Sequence, residues 1–189
     1  MIKELVLKNR SYRRFYQDKK VEREILVELI NLTRFTASGM NKQPLRYIIS
    51  TDEKLNYKIN DTLVWAGYLK GWISPKEGEL PSSYIVMLKD LSLGNSAVQD
   101  EGIQAQTILL GAVEKNLGGC MIANIKRKEL SKVLNIDEEK YDIVMVIPIG
   151  YPKEEVVIED INEDGDIKYY RDENQVHHVP KRKLEDIIL

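Results

Sequence analysis

Ile143, Val144, Met145, Val146, Ile147, Pro148 and Ile149 follow one another without a polar side chain, the longest apolar run in the chain. The run is far too short to span a bilayer, which takes roughly 20 apolar residues. A strand with one wet face alternates apolar and polar positions, so an unbroken run predicts a strand buried outright. Tyr84, Ile85, Val86, Met87 and Leu88 predict a second strand, and Tyr47, Ile48 and Ile49 a third, opened by Gln43 and Pro44. Around them, Ile25, Leu26, Leu29, Ile30 and Thr33 recur at helical intervals from Glu22 onward. Residues 2–8, 54–69, 96–116 and 128–134 also read as helices. The helix 96–116 presents Gly102, Ala105, Leu109 and Ala112 on one face and stops at Gly118 and Gly119. Weak strands are expected near Val156 and Val157, and near Lys168, Tyr169 and Tyr170. Helices and strands mix without strict alternation, which predicts an α+β fold. A chain of 189 residues fits a single domain over its whole length, 1–189.

Composition narrows the function classes. Hydrophobic residues make up 43% and charged residues 31%, the ordinary balance of a soluble globular protein. A net charge of -2 gives no general attraction to nucleic acid or to an anionic membrane. The single cysteine, Cys120, excludes an internal disulfide framework and a Cys-rich metal site. Lys3 and Glu4 place charge where a secretory signal would need an apolar stretch, so a cytoplasmic protein is expected.

Two clusters could carry chemistry. Arg10, Ser11, Tyr12 and Arg13 put two guanidiniums and a hydroxyl close together, and arginine's fixed fork of donors suits a phosphate. A solvated basic turn is the plain alternative. Ser38, Gly39, Met40, Asn41, Lys42, Gln43 and Pro44 lie between a helix and a strand. Their backbone donors and amides suit a ligand edge that alternates donors and acceptors, as the isoalloxazine pyrimidine ring does. The same composition also makes an ordinary helix-to-strand turn.

Taken together and in order, these elements resemble the FMN-dependent nitroreductase family. An R-S-x-R-x-F element is met by Arg10, Ser11, Arg13 and Phe15, and a P-S-x-x-N-x-Q-P-W element by Ser38, Asn41, Gln43 and Pro44. Asp100 to Gln106 and the turn from Leu117 to Ile122 look like the family's long core helix and glycine-rich turn. Ile147 to Pro152 looks like its last sheet strand, and Pro180 to Glu185 its basic ending. Ala37 and Leu45 depart from the usual proline and tryptophan. The resemblance implies a central, mainly antiparallel sheet flanked by helices, in a homodimer with an exchanged C-terminal segment. It implies FMN held by Arg10, Ser11, Tyr12 and Arg13, with Lys181 or Arg182 at the phosphate. Ser38, Asn41 and Gln43 would come from the partner chain, and the backbone at Ile122 and Ala123 would approach the flavin N5. The implied activity is NAD(P)H-dependent: hydride from NADH or NADPH passes through flavin to a small acceptor, nitroaromatic, quinone or similar, in a ping-pong cycle. No catalytic side chain is implied, because the cofactor carries the chemistry. A dehalogenase-like or flavin-fragmenting enzyme of the same fold, or a non-enzymatic flavin sensor, would share these motifs. Residues 56–81, which carry no motif, leave the acceptor open.

Other signals carry less. Asp160, Asn162, Asp164 and Gly165 match the first half of a calcium loop, but Arg171 stands where the glutamate ligand is required. Adjacent His177 and His178 would face opposite sides of an extended segment and cannot chelate one metal. Cys120 reads as a small buried hydrophobe. Trp65, Tyr68 and Trp72 could stack on a substrate or fill the core.

Overall fold

The computed structural model describes residues 1–94 and 98–189. Strands β1 (Leu45–Ser50), β2 (Ser83–Asp90), β3 (Gly118–Gly119) and β4 (Tyr141–Gly150) form one sheet, ordered β1-β2-β4-β3 and antiparallel throughout. β4 contains the unbroken apolar run and is buried from Ile143 to Gly150. Its neighbours explain the pattern. Ile85, Met87, Ile147 and Ile149 enter a core with Leu26 and Leu29 of α2 (Arg23–Thr33) and Ala105, Ile108 and Leu109 of α4 (Val98–Glu114). Tyr84, Val86, Leu88 and Val146 enter the opposite core, with Phe15, with Ile59 of α3 (Glu53–Asn60) and with Leu130 of α5 (Arg127–Leu134). Side chains of a strand alternate between faces, so covering both faces demands apolar residues at every position. Each fully buried Leu or Ile contributes roughly 1.5–3 kcal/mol through apolar burial.

The expected helix 54–69 is cut short. α3 begins where the Asp52 carboxylate accepts the Leu55 N–H at 2.7 Å and ends at Asn60. Beyond it, Leu63 bridges Ile125 and the Val64 N–H donates to the Asn124 carbonyl at 3.0 Å. Those bonds pull the backbone out of helical geometry, and Ala66 sits at φ 30°. The helical spacing of Leu63, Trp65 and Leu69 therefore serves a packed loop. The expected start of the long helix at Ser96 lies outside the described residues. Its end agrees, with the Leu117 N–H closing on the Ala112 carbonyl at 2.8 Å. Gly118 and Gly119 do more than stop it, since they form β3.

After β4 the chain builds a second sheet from β5 (Val156–Asp160), β6 (Tyr170–Arg171) and β7 (His177–Lys181), ordered β5-β7-β6. β5 and β7 are parallel, β6 and β7 antiparallel. β7 had no local signal. The first helix, α1 (Ile2–Lys8), packs against α4. Among the described residues no helix is long and apolar enough to cross a membrane.

Candidate functional site

The chain leaves α1 at Asn9 in extended geometry, φ -74° and ψ 103°. Ser11 then bridges Gly119, and the Tyr12 N–H donates to the Gly119 carbonyl at 3.0 Å. This short zipper sets the faces, because alternate side chains of an extended segment diverge. Ser11 and Arg13 line a cavity of about 360 Å³ together with Arg10, Met121, His177 and Lys181. The segment after α1 and strand β7 thus meet in one cationic cavity, of a size typical for small-molecule sites.

Tyr12, expected among the cofactor contacts, turns away. Its ring lies on Gly118, where an added Cβ would come within 2.4 Å of Tyr12 Cδ2. Burial pushes its phenol above the usual range, and the hydroxyl donates to the Lys8 carbonyl at 3.2 Å. Arg182 is also placed elsewhere, exposed just past the end of β7 and outside the cavity lining. Ile122 is held in a bridge to β4: its N–H donates to the Val146 carbonyl and its carbonyl accepts from the Val146 N–H, both at 2.9 Å, so its N–H is already engaged. Ala123 is exposed, and Met121 is the residue of this turn that reaches the cavity.

Arg10 donates through Nη2 to the Val6 carbonyl at 2.7 Å. Its Nε is buried and has no acceptor among the described residues, and desolvation lowers its pKa. A buried guanidinium edge without an acceptor is costly unless an anion completes it.

Arg13 is held from three sides. Its Nη1 donates to the Ser11 carbonyl at 3.2 Å, its guanidinium lies 4.7 Å from the Tyr169 ring centre, and Nη1 lies 3.4 Å from His177 Nε2. Arginine cannot accept, so Nε2 is the acceptor and the ring proton sits on Nδ1. Burial, followed by the Arg13 charge, lowers the His177 pKa to about 4, and the ring is neutral near pH 7. His177 also stacks on Tyr169, with ring centres 5.3 Å apart.

Behind this layer sits Glu154, its side chain wholly buried. It accepts the Arg13 N–H, the Arg14 N–H at 3.2 Å and Arg171 Nη2 at 2.8 Å. One carboxylate therefore ties the segment after α1 to β6, and through Arg13 to β7. Nothing in the sequence around Glu154 singled it out.

The second cluster lies apart. Ser38 Oγ donates to Asp100 Oδ2 at 2.5 Å, the Gly39 N–H to Asp100 Oδ1 at 3.0 Å, and the Gln43 N–H to Ser38 Oγ at 2.9 Å. Met40, Asn41 and Gln43 take positive φ of 52°, 54° and 49°, a cost that these tethers to α4 offset. Asn41 and Gln43 line a different cavity of about 410 Å³, between α2 and β1. Within one chain, then, the structure does not bring Ser38, Asn41 and Gln43 to the Arg10 cavity.

Cys120 is buried, and burial pushes its thiol up to about 11, too high for a reactive thiolate at neutral pH. His177 points inward, whereas His178 points outward to Glu159 at 2.9 Å and Asp172 at 3.6 Å. The half-matched calcium loop is an exposed turn closed by the Gly165 N–H on the Asn162 carbonyl at 2.9 Å. The three aromatics divide: Trp65 is core, Trp72 packs edge-on to it at 6.3 Å, and Tyr68 is half-exposed beside Tyr169 at 5.1 Å.

A four-stranded antiparallel sheet between two helical cores, with a cationic cavity where the segment after α1 meets β7, defines a small α+β protein whose cavity suits an anionic ligand. The sequence model of the nitroreductase family matches residues 6–68 and 85–151, and the chain belongs to that family. It is 25% identical over 169 residues to the iodotyrosine deiodinase of Thermotoga neapolitana, covering 80% of this chain and 89% of the relative. Its fold is similar to that of an FMN-dependent nitroreductase from Clostridium difficile R20291, at TM-score 0.68 and 24% identity over 82% of this chain and 89% of that one. A Staphylococcus epidermidis protein, described provisionally as an NAD(P)H:FMN oxidoreductase, aligns over 100% of this chain and 95% of its own, at TM-score 0.75 and 14% identity.

Proposed function

We propose that this chain binds FMN and acts as an NAD(P)H-dependent oxidoreductase toward a small acceptor, a nitroaromatic, quinone or similar. The cavity in which Arg10, Ser11 and Lys181 converge carries the reading, because the buried, unpartnered Nε of Arg10 fits a phosphate oxygen. Arg10, the Ser11 hydroxyl and Lys181 would hold that phosphate. Arg13, locked against Tyr169 and His177, would present a fixed positive charge to the cofactor, since its position requires no rearrangement when charge develops. His177 stays neutral, so its Nε2 can accept from Arg13 and hold that charge in place. Bound FMN would supply hydride chemistry at its N5. The relatives named FMN-dependent nitroreductase and NAD(P)H:FMN oxidoreductase support the reading.

A homodimer belongs to the same proposal. Ser38, Asn41 and Gln43 lie away from the Arg10 cavity within one chain, and a second copy would bring them to it. Exposed Ile2, Leu7, Ile103, Leu184, Ile187 and Ile188 offer apolar surface for that contact, including an exchanged C-terminal end. A second reading is favoured by the relative named iodotyrosine deiodinase: reductive dehalogenation on the same framework.

The visible spectrum of the purified protein tests the function. Flavin bands that bleach on adding NADH or NADPH are expected, with colour returning on a nitroaromatic or quinone; return on an iodotyrosine alone would favour the second reading. Bands that persist would mean a flavin binder without this activity, and no bands after FMN titration would refute the cofactor. Light scattering of the flavin-loaded protein should give twice the chain mass, and a monomer at micromolar concentration would refute the shared site.

A further inference from the structure

Trp72 and Arg171 stack with 4.7 Å between guanidinium carbon and ring centre, and both line two neighbouring cavities. One, of about 540 Å³, is walled by Tyr68, Tyr169 and Tyr170 with Lys70 at its edge. The other, of about 350 Å³, adds Arg14 and Lys76. The carboxylates here are already engaged: Asp166 pairs with Lys168 at 3.5 Å and Glu79 with Lys153 at 3.5 Å. Arg14 and Arg171 share the single carboxylate of Glu154, at 3.7 Å and 2.8 Å, which leaves an excess of positive charge. The Arg171 side chain is only 8% exposed, and its Nε is buried with no acceptor among the described residues. All of the walls named except Tyr68 and Arg14 come from residues 69–84 and 152–189, outside the stretches that the family's sequence model matches.

Aromatic walls attract a planar ring, and a desolvated guanidinium whose Nε still lacks an acceptor attracts an anion. We propose that this groove is a second binding site, for an aromatic ring that carries an anionic group. Tyr169 lines both this groove and the Arg10 cavity, so a ligand here would lie one side chain away from that site. Two sources share this chemistry, the adenosine diphosphate half of a reduced nicotinamide dinucleotide and an aromatic carboxylate acceptor. The groove's part in turnover rests on the function proposed above; the binding itself does not.

Titration calorimetry on the purified protein, with and without saturating FMN, tests the groove using ADP against adenosine and 4-nitrobenzoate against nitrobenzene. At least one anionic probe should bind about tenfold or more tighter than its neutral counterpart, as a charged hydrogen bond implies. A preference for ADP would identify the dinucleotide, and one for 4-nitrobenzoate the acceptor. Arg171→Lys keeps a charge opposite Glu154 but loses the planar stack and fork, and should erase most of the preference. Lys70→Gln, at an exposed position, should weaken the anionic probe alone by a few-fold. Equal binding of anionic and neutral probes, or preferences unchanged in both variants, would overturn the site. FMN affinity measured alongside separates the two proposals, since FMN binding without anion preference removes only the groove. Anion preference without FMN binding removes only the flavin reading.

Discussion

Replacing Glu154 with alanine should be the most damaging single change outside the two cores. The substitution leaves Arg171, 8% exposed at its side chain, without its 2.8 Å partner, and strips the acceptor from the backbone N–H groups of Arg13 and Arg14. Removing one member of a buried ion pair costs about 3–5 kcal/mol, because the remaining charge stays desolvated. The two orphaned N–H groups could add about 1–3 kcal/mol each, but water entering the vacated space would satisfy part of that demand. A net loss of about 4 kcal/mol is expected, equivalent to a fall in Tm of about 8–16 °C for a chain of this size. Glu154→Gln retains an oxygen acceptor and should lose about half as much. Urea unfolding followed by tryptophan fluorescence at one fixed protein concentration measures both. The decisive variant is Glu154→Ala with Arg171→Leu, which removes the stranded charge. It should recover at least about 1 kcal/mol relative to the sum of the single changes, since contacting residues are not additive. If Glu154→Ala costs less than about 1 kcal/mol, or the double change is additive, Glu154 is not the latch described above.

Arg10→Ala should weaken FMN binding by about tenfold to somewhat over a hundredfold while leaving riboflavin binding much less affected, since only FMN carries the phosphate; equal weakening in dialysis would remove Arg10 from the phosphate site. His177, with its pKa lowered from 6.5 to about 4, contributes stability that is complete above the higher value and lost as pH falls through the lower. The unfolded chain takes up the proton first, so the loss reaches up to roughly 3 kcal/mol. His177→Phe should flatten the unfolding free energy between pH 7 and pH 4.5 by about 2–2.5 kcal/mol, and a parallel curve would refute the assignment. Gly119→Ala would place a Cβ 2.4 Å from the Pro148 carbonyl oxygen, a backbone atom with nowhere to retreat. It should cost about 1–3 kcal/mol in a thermal melt, and because Ser11 bridges Gly119 it should also weaken FMN binding.

Much of this architecture was legible without coordinates. The run at 143–149 demanded a strand covered on both faces, and the structure supplies a core on each side of it. Helical spacing located α2, α5 and the end of α4 to within a residue or two. The same spacing misled at 54–69, where bonds from Leu63 and Val64 to a distant segment overrode the local preference. Arg10, Ser11, Arg13 and Lys181, singled out by residue type and motif order, line one cavity. Tyr12 was included with them because a string of residues does not show which face an extended segment presents.

What the sequence determined by itself was pattern: burial period, turn positions and residues able to grip an anion, all written in neighbouring positions. What only the tertiary structure decided was convergence. Glu154 reaches Arg13, Arg14 and Arg171, and His177 lies against Arg13, across 164 positions of chain. Tyr169 separates the Arg10 cavity from the groove beyond it. The same fold ties Ile122 to Val146 through a backbone bridge and, within one chain, leaves Ser38, Asn41 and Gln43 outside the cavity. Such contacts depend on where β4 delivers the chain and how the second sheet returns it, and their energies come from burial shared by distant residues. No local propensity encodes a desolvation that arises only when both partners arrive.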